Sequence, residues 1–231
     1  MSYCVDLLDT EFAAYFGCQP SDMRRVGTTI TASGRWPLAV VVTTSGQIVS
    51  TDLIEREVLG EALETCPRQE LLCRDTVQRL TGLLPARDAV WRIGEASVLL
   101  YCTTATFTPC DASAAASIPR EDAFWRDAAN GRQKTDRRHF EAAFAVFAGD
   151  TRVSTATVVD QGRASFRAIG ANTKPNYRGR GYAKACVSAA TRYALEHGTF
   201  PLYNTEANNA ASLAVARAVG YREYIRFLVV T

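Results

Sequence analysis

The chain has 231 residues, 47% of them hydrophobic and 22% charged, and its 26 Lys and Arg against 24 Asp and Glu leave a net charge of +2. These values belong to a folded chain with a sizeable core and exclude extended disorder. So even a charge balance argues against a dedicated polyanion binder, whose domain is clearly basic. No run approaches the ~20 apolar residues that span a bilayer, and the first residues lack the basic-then-apolar pattern of a secretory leader. Seven cysteines stand at 4, 18, 66, 73, 102, 110 and 186, with no C-x-x-C pair and two histidines in all. That pattern predicts free thiols in a reducing cytoplasm, and no metal site.

Taken in chain order, the first strong signal is the apolar run from Pro37 to Thr43, a strand. Ser45-Gly46 is a turn, and 47–51 returns as a hairpin partner. Leu53, Ile54, Val58, Leu59, Ala62 and Leu63 share one helical face, and a second helix is expected over about 69–84. Residues 96–101 (ASVLLY) read as a strand, and the small-residue stretch 108–119, bounded by prolines, as a connector. Residues 1–95 therefore form an α/β region whose role the sequence does not disclose.

From Glu141 the pattern sharpens. Segments 141–148, 153–159 and 164–172 read as three strands joined by the turns Gly149-Asp150 and Asp160-Gln161-Gly162, an antiparallel meander. A helix from Gly181 to about His197, a short strand 201–205, a helix 209–219 and a final strand 224–230 complete the chain. This order is α+β, with one mixed, mostly antiparallel sheet flanked by helices over 96–231.

Chemistry enters at Thr173-Lys174-Pro175-Asn176-Tyr177-Arg178-Gly179-Arg180-Gly181-Tyr182-Ala183, between a strand and a helix. Pro175 cannot donate to a ladder and stops the strand. Gly179 and Gly181 allow left-handed backbone and close approach. The first N–H groups of the helix then converge with its dipole on an anion such as a pyrophosphate, and Arg178 and Arg180 add positive charge. Neither Gly-Lys-Ser/Thr nor G-x-G-x-x-G is present, so triphosphate and dinucleotide sites lack their fingerprints. The inward face of the helix is small (Ala183, Cys186, Val187, Ala190, Ala194), which lets it lie close to the sheet. Downstream, Asn209 is a good N-cap and Gly220 fits the left-handed residue after a helix.

Together these two segments resemble the GNAT superfamily of N-acetyltransferases. Its acyl-CoA motif, Arg/Gln-x-x-Gly-x-Gly/Ala, is matched by Arg178, Gly181 and Ala183, preceded by Pro175 and Tyr177. Its Asn-x-x-Ala/Ser and Leu/Val-Gly-Phe/Tyr helix boundaries are matched by Asn209, Ser212 and Val219-Gly220-Tyr221. The resemblance covers about 141–231. It implies that the main-chain N–H groups of Arg178, Gly179, Arg180, Gly181, Tyr182 and Ala183 hold the CoA pyrophosphate. It also implies that Ala171, Asn172 and Thr173 pair with the pantetheine arm where two strands splay, and that Asn209 and Ser212 approach from the other side.

The resemblance further implies acetyl transfer from acetyl-CoA, as cosubstrate, to a small-molecule or peptide amine by direct attack. An attacking amine must be neutral, and the tetrahedral oxyanion needs preset donors. The family often protonates the leaving thiolate with a tyrosine seven residues after the helix-start asparagine; here that position is Ala216. Tyr203, Ser212 and Tyr224 are the hydroxyls nearest the motifs, and Glu206 is the nearest carboxylate, with Glu141 a second. Tyr203 and Glu206 are the catalytic candidates. His197 reads as a helix C-terminal cap. His139 and the charged run 132–138 read as a solvated face, the run being the one feature that points toward nucleic acid. The alternative is a non-catalytic acyl-CoA-binding or regulatory module on the same fold. No nucleic-acid or membrane partner is expected, the location is cytoplasmic, and the oligomeric state is open, a dimer included.

Overall fold

The computed structural model describes residues 2–32, 34–86, 90–119, 122, 124 and 140–231. The charged run 132–138 and His139 lie outside the described residues. The chain divides into two compact units: 1–99 with 206–208 and 223–231, and 100–205 with 209–222. The last strand thus belongs with the first unit, although sequence order sets it beside the second.

In the first unit α1 (Ser2–Phe16) leads into β1 (Gly27–Thr31), β2 (Leu38–Val42) and β3 (Gly46–Ser50). Helices α2 (Arg56–Glu64) and α3 (Arg74–Thr81) follow, and β10 (Arg222–Val230) returns at the end of the chain. The strand order is β1-β3-β2-β10, with β1 and β3 parallel and the other pairs antiparallel. The run LAVVV of β2 is buried along nearly its whole length, as a strand covered on both faces requires. Leu38, Val40, Leu228 and Val230 pack with Leu59 and Leu63 of α2 and Val77 and Leu80 of α3. Phe16 of α1 meets Phe227, with ring centroids 6.1 Å apart.

Neither α1 nor β1 is among the elements read from sequence. The signal for α1 was present: Cys4, Leu8, Phe12 and Phe16, all buried, recur every fourth residue. For β1 it was not, since GTTIT carries one large apolar residue and is half exposed. The helix expected over 69–84 is shorter, preceded by a 3-10 turn at Arg68–Glu70.

In the second unit β6 (Phe140–Ala148), β7 (Thr151–Val159) and β8 (Phe166–Thr173) form the expected meander. The two-residue strand β5 (Ala116–Ser117) pairs with β6; it lies in the stretch read as a connector. β9 (Phe200–Glu206) runs parallel to β8, giving the order β9-β8-β7-β6-β5. β4 (Ser97–Tyr101) lies across the unit boundary in sequence.

Helix α4 (Tyr182–Glu196) lies on β6, β7 and β8. It buries Ala185, Cys186, Val187, Ser188, Ala190, Thr191 and Ala194. These small side chains allow the close approach that aims its N-terminus. Helix α5 (Ala210–Ala218) packs beside α4 and buries Leu213 and Ala216. After α5, Gly220 has φ of 97°, and a Cβ there would lie 2.0 Å from the Thr106 carbonyl oxygen. Only glycine fits both constraints.

Among the described residues no helix is long and apolar enough to cross a membrane. None of the seven cysteines is in a disulfide. Among the described residues no group of three or more His, Cys, Asp and Glu could hold a metal ion.

Candidate functional site

The geometry of the site begins with a strand pair that stops early. β8 pairs with β9 only through Phe166, Arg167 and Ala168, opposite Phe200, Pro201 and Leu202. β8 stays paired with β7 as far as Thr173. From Ile169 on one strand and Tyr203 on the other, β8 and β9 share no register. Gly170, Ala171 and Asn172 are correspondingly exposed. The parted strands open a cleft of about 440 Å³, lined by the end of β8, the glycine loop, the first turn of α4, Tyr203 and one face of α5.

The mouth of the cleft is built from backbone. Pro175–Tyr177 form a 3-10 turn after β8, and the Arg178 guanidinium donates to the Thr173 carbonyl at 3.3 Å, tying the loop to the strand end. Gly179 has φ of 76° and Gly181 has φ of 81°. A Cβ on either would meet nothing within 4 Å. The glycines are therefore needed for their left-handed backbone, and the space beside them is open to a ligand. Gly181 is the N-cap of α4 and supplies no side-chain cap. The first helical bond runs from the Ala185 N–H to the Gly181 carbonyl at 3.1 Å. Helix geometry thus leaves the N–H groups of Tyr182, Ala183 and Lys184 without an intrahelical acceptor.

The charge around this helix start is inverted. A helix N-terminus favours acidic side chains, yet the first turn of α4 holds none. Arg178, Arg180 and Lys184 line the cleft, and no Asp or Glu does. Arg180 stacks over Tyr177, its guanidinium carbon 5.4 Å from the ring centre. A site of this kind holds a multiply charged anion by main-chain donors, helix dipole and three cations.

The far wall comes from β9 and α5. Asn209 caps α5, its side-chain oxygen accepting from the Ser212 N–H at 3.0 Å. The Ser212 hydroxyl is 2.9 Å from the Tyr203 hydroxyl. Tyr203 is 4% exposed. Burial raises its phenol above the usual range, against a smaller lowering by the Ser212 hydrogen bond, so it stays protonated at neutral pH.

The structure thus brings Ala171, Asn172, Thr173, Arg178 to Ala183, Tyr203, Asn209 and Ser212 to one cleft. Ala183 lies on the cleft, where the sequence reading had set it on the inward face. Glu206, the last residue of β9, is exposed and is not among the lining residues. Glu141 is engaged elsewhere, 2.8 Å from the Arg167 guanidinium. Tyr224 belongs to the first unit, where its hydroxyl donates to buried Asp9 at 2.7 Å. Ala216 is fully buried and does not line the cleft. His197 closes α4, its Nδ1 2.7 Å from the Tyr193 carbonyl.

Lys184, Ala211, Ala214 and Val215 line the cleft and went unrecognised in the sequence. Lys184 had a signal, a cation in a first turn where the dipole disfavours one. Ala211 and Val215 are one turn apart on α5, but nothing in their chemistry marks the face they share.

Residues 143–229 match the family model described as GNAT acetyltransferase. Among solved structures, the chain is similar to a protein described as an acetyltransferase from the GNAT family, from Novosphingobium aromaticivorans. The identity is 16%, the match covers 63% of this chain and 69% of that one, and the TM-score is 0.50. It is also similar to a GCN5-related N-acetyltransferase-like protein from Streptococcus suis, with 14% identity, 82% of each chain and a TM-score of 0.47. A third is a GNAT-family acetyltransferase from Colwellia psychrerythraea, with 19% identity, 65% of this chain, 60% of that one and a TM-score of 0.45. The chain thus spans under two thirds of the Colwellia protein. The first likeness shows a shared fold. No curated protein matches the chain.

Proposed function

We propose, from the match of residues 143–229 to the GNAT acetyltransferase family model and the geometry of the cleft, that the chain is an acyl-CoA-dependent N-acyltransferase, with acetyl-CoA as the donor and a small-molecule or peptide amine as the acceptor. One observation carries this reading: an uncapped helix start, cationic and free of acids, opens onto the gap between two parting strands. The diphosphate and the extended amide arm are two of the chemical parts of CoA, and each has its counterpart there.

The N–H groups of residues 179–183 take the pyrophosphate oxygens; that of Arg178, which the resemblance includes, is committed to the Pro175 carbonyl at 3.2 Å. The open edge of Ala171, Asn172 and Thr173 pairs with the amides of pantetheine as an added strand would. Asn209 approaches that arm with its amide nitrogen, its oxygen being committed to the helix cap. The acceptor attacks the thioester carbonyl as a neutral amine, and the C–S bond breaks. Holding both reactants in line supplies much of the rate. With none of its seven cysteines in a disulfide, the protein is suited to a reducing compartment such as the cytoplasm.

Calorimetric titration with CoA and acetyl-CoA, followed by thiol release from acetyl-CoA over a panel of amines, tests the reading. Saturable binding with turnover on at least one amine is expected. Binding without turnover on any amine would favour an acyl-CoA-binding module, and absence of binding would remove the site assignment.

A further inference from the structure

The cleft carries a pair of hydroxyls where its two strands begin to part. Leu202 makes the last pair between β9 and β8, and Tyr203 is the next residue. Its phenol therefore stands at the apex, where the strands begin to part. Ser212, three residues into α5 from its N-cap, meets that phenol at 2.9 Å. Tyr203 is fixed by burial and by its ring against Tyr221, centroids 5.6 Å apart. Ser212 is only half-buried and reaches the cleft. No Asp, Glu or His lines the cleft, so among its lining side chains the neutral proton donors are hydroxyls and amides.

We propose that Ser212 and Tyr203 act as a proton relay to the sulfur of the departing CoA, with Ser212 as the donor in contact and Tyr203 as the residue that positions and resupplies it. The inference rests on the acyltransferase reading above. An arm whose diphosphate is held at the glycine loop, and which runs along the open edge of β8, brings its thioester toward the apex. As the C–S bond breaks, its electron pair goes to sulfur. The Ser212 O–H gives its proton to that sulfur while the Tyr203 O–H gives its own to Ser212 Oγ. The attacking nitrogen loses one proton in forming the amide, and that proton returns to Tyr203 through water. The sum is thioester plus amine to amide plus thiol, with one proton moved from nitrogen to sulfur. Burial, by keeping Tyr203 protonated at rest, also makes its reprotonation favourable. Ser212 lies on the same helix as Ala216 and one turn before it, so a hydroxyl at position 216 is not required.

Three variants test this: Ser212→Ala, Tyr203→Phe and the double variant, with Ser212→Thr as the conservative control. CoA affinity is measured first, by calorimetry, on each. Loss of CoA binding by the unmodified protein would overturn the acyltransferase reading itself, before the relay is at issue. Given binding and turnover, each single variant should lower kcat by about 100-fold, the lower range for a positioned proton donor. The Kd for CoA should move less than threefold. The double variant should be no slower than the worse single, because the two groups act as one unit. Ser212→Thr should restore most of kcat. Tyr203→Phe keeps the ring and its packing, so a folded protein is expected even if Ser212→Ala is unstable. Unchanged kcat in Tyr203→Phe, or losses in the two singles that multiply in the double, would overturn the relay.

Discussion

Two helices, α4 and α5, begin within one unit and resolve the same problem differently. Every helix start leaves N–H groups without acceptors. At α5 the protein answers internally: Asn209 turns its carbonyl oxygen onto the Ser212 N–H. At α4 it gives no answer at all. Gly181 has no side chain to offer, the first turn holds no acid, and the surrounding charges are Arg178, Arg180 and Lys184. The first arrangement stabilises the free protein. The second forgoes that stabilisation and reserves the donors for an anion from outside. A helix start is thus informative by what it lacks.

The contrast can be broken at Gly181. Gly181→Val imposes a β-branched side chain on a backbone at φ of 81°, which costs ~1–2 kcal/mol, and displaces the N–H groups that the proposed function assigns to the pyrophosphate. Losing one or two charge-assisted bonds, each worth ~1.5–3 kcal/mol, should weaken CoA binding by about 100-fold in a calorimetric titration. Unchanged affinity would remove α4 from the site.

Asn209→Asp sharpens the contrast, because it separates capping from ligand contact. Aspartate caps as well as asparagine, so the melting temperature should hold. The amide donor is lost and a negative charge enters a cationic cleft, so the Kd for CoA should rise by about tenfold.

Asn209→Ala reads the other side. It removes the cap at a cost of ~1 kcal/mol, which for a chain of this size lowers Tm by ~2–4 °C. Scanning calorimetry without ligand measures it. A comparable fall on replacing a side chain in the first turn of α4 would mean that this start too is internally satisfied.

Arg180→Ala should have the smallest effect. The side chain is exposed and already engaged with Tyr177, so the loss is within ~1 kcal/mol and shrinks as salt is raised. Titration with CoA at two ionic strengths shows it.

How far the sequence could be read follows from what was local. The glycine loop was legible because its parts are consecutive: a proline that ends a strand, two glycines with left-handed φ, and a helix whose inward face is small. The capped start of α5 was equally local, as was the meander β6-β7-β8, joined by turns at 149–150 and 160–162. The catalytic candidates fared differently. Glu206 and Tyr203 were chosen by closeness along the chain, and the cleft is lined by only the second of them. Tyr224 seemed comparable in sequence, yet its hydroxyl belongs to Asp9, 215 positions away in the chain.

By itself the sequence determined the starts of α4 and α5, the turns at 149–150 and 160–162, the periodicity of the meander strands and the left-handed glycine loop ahead of α4. Each depends on backbone preferences acting within a few residues. Tertiary structure alone decided three other things. β10 returns to pair with β2, β8 and β9 part after Ala168 and Leu202, and the hydroxyls of Tyr203 and Ser212 meet. These are set by which surfaces must be buried against which, a condition satisfied by the whole packed chain and written in no short stretch of it.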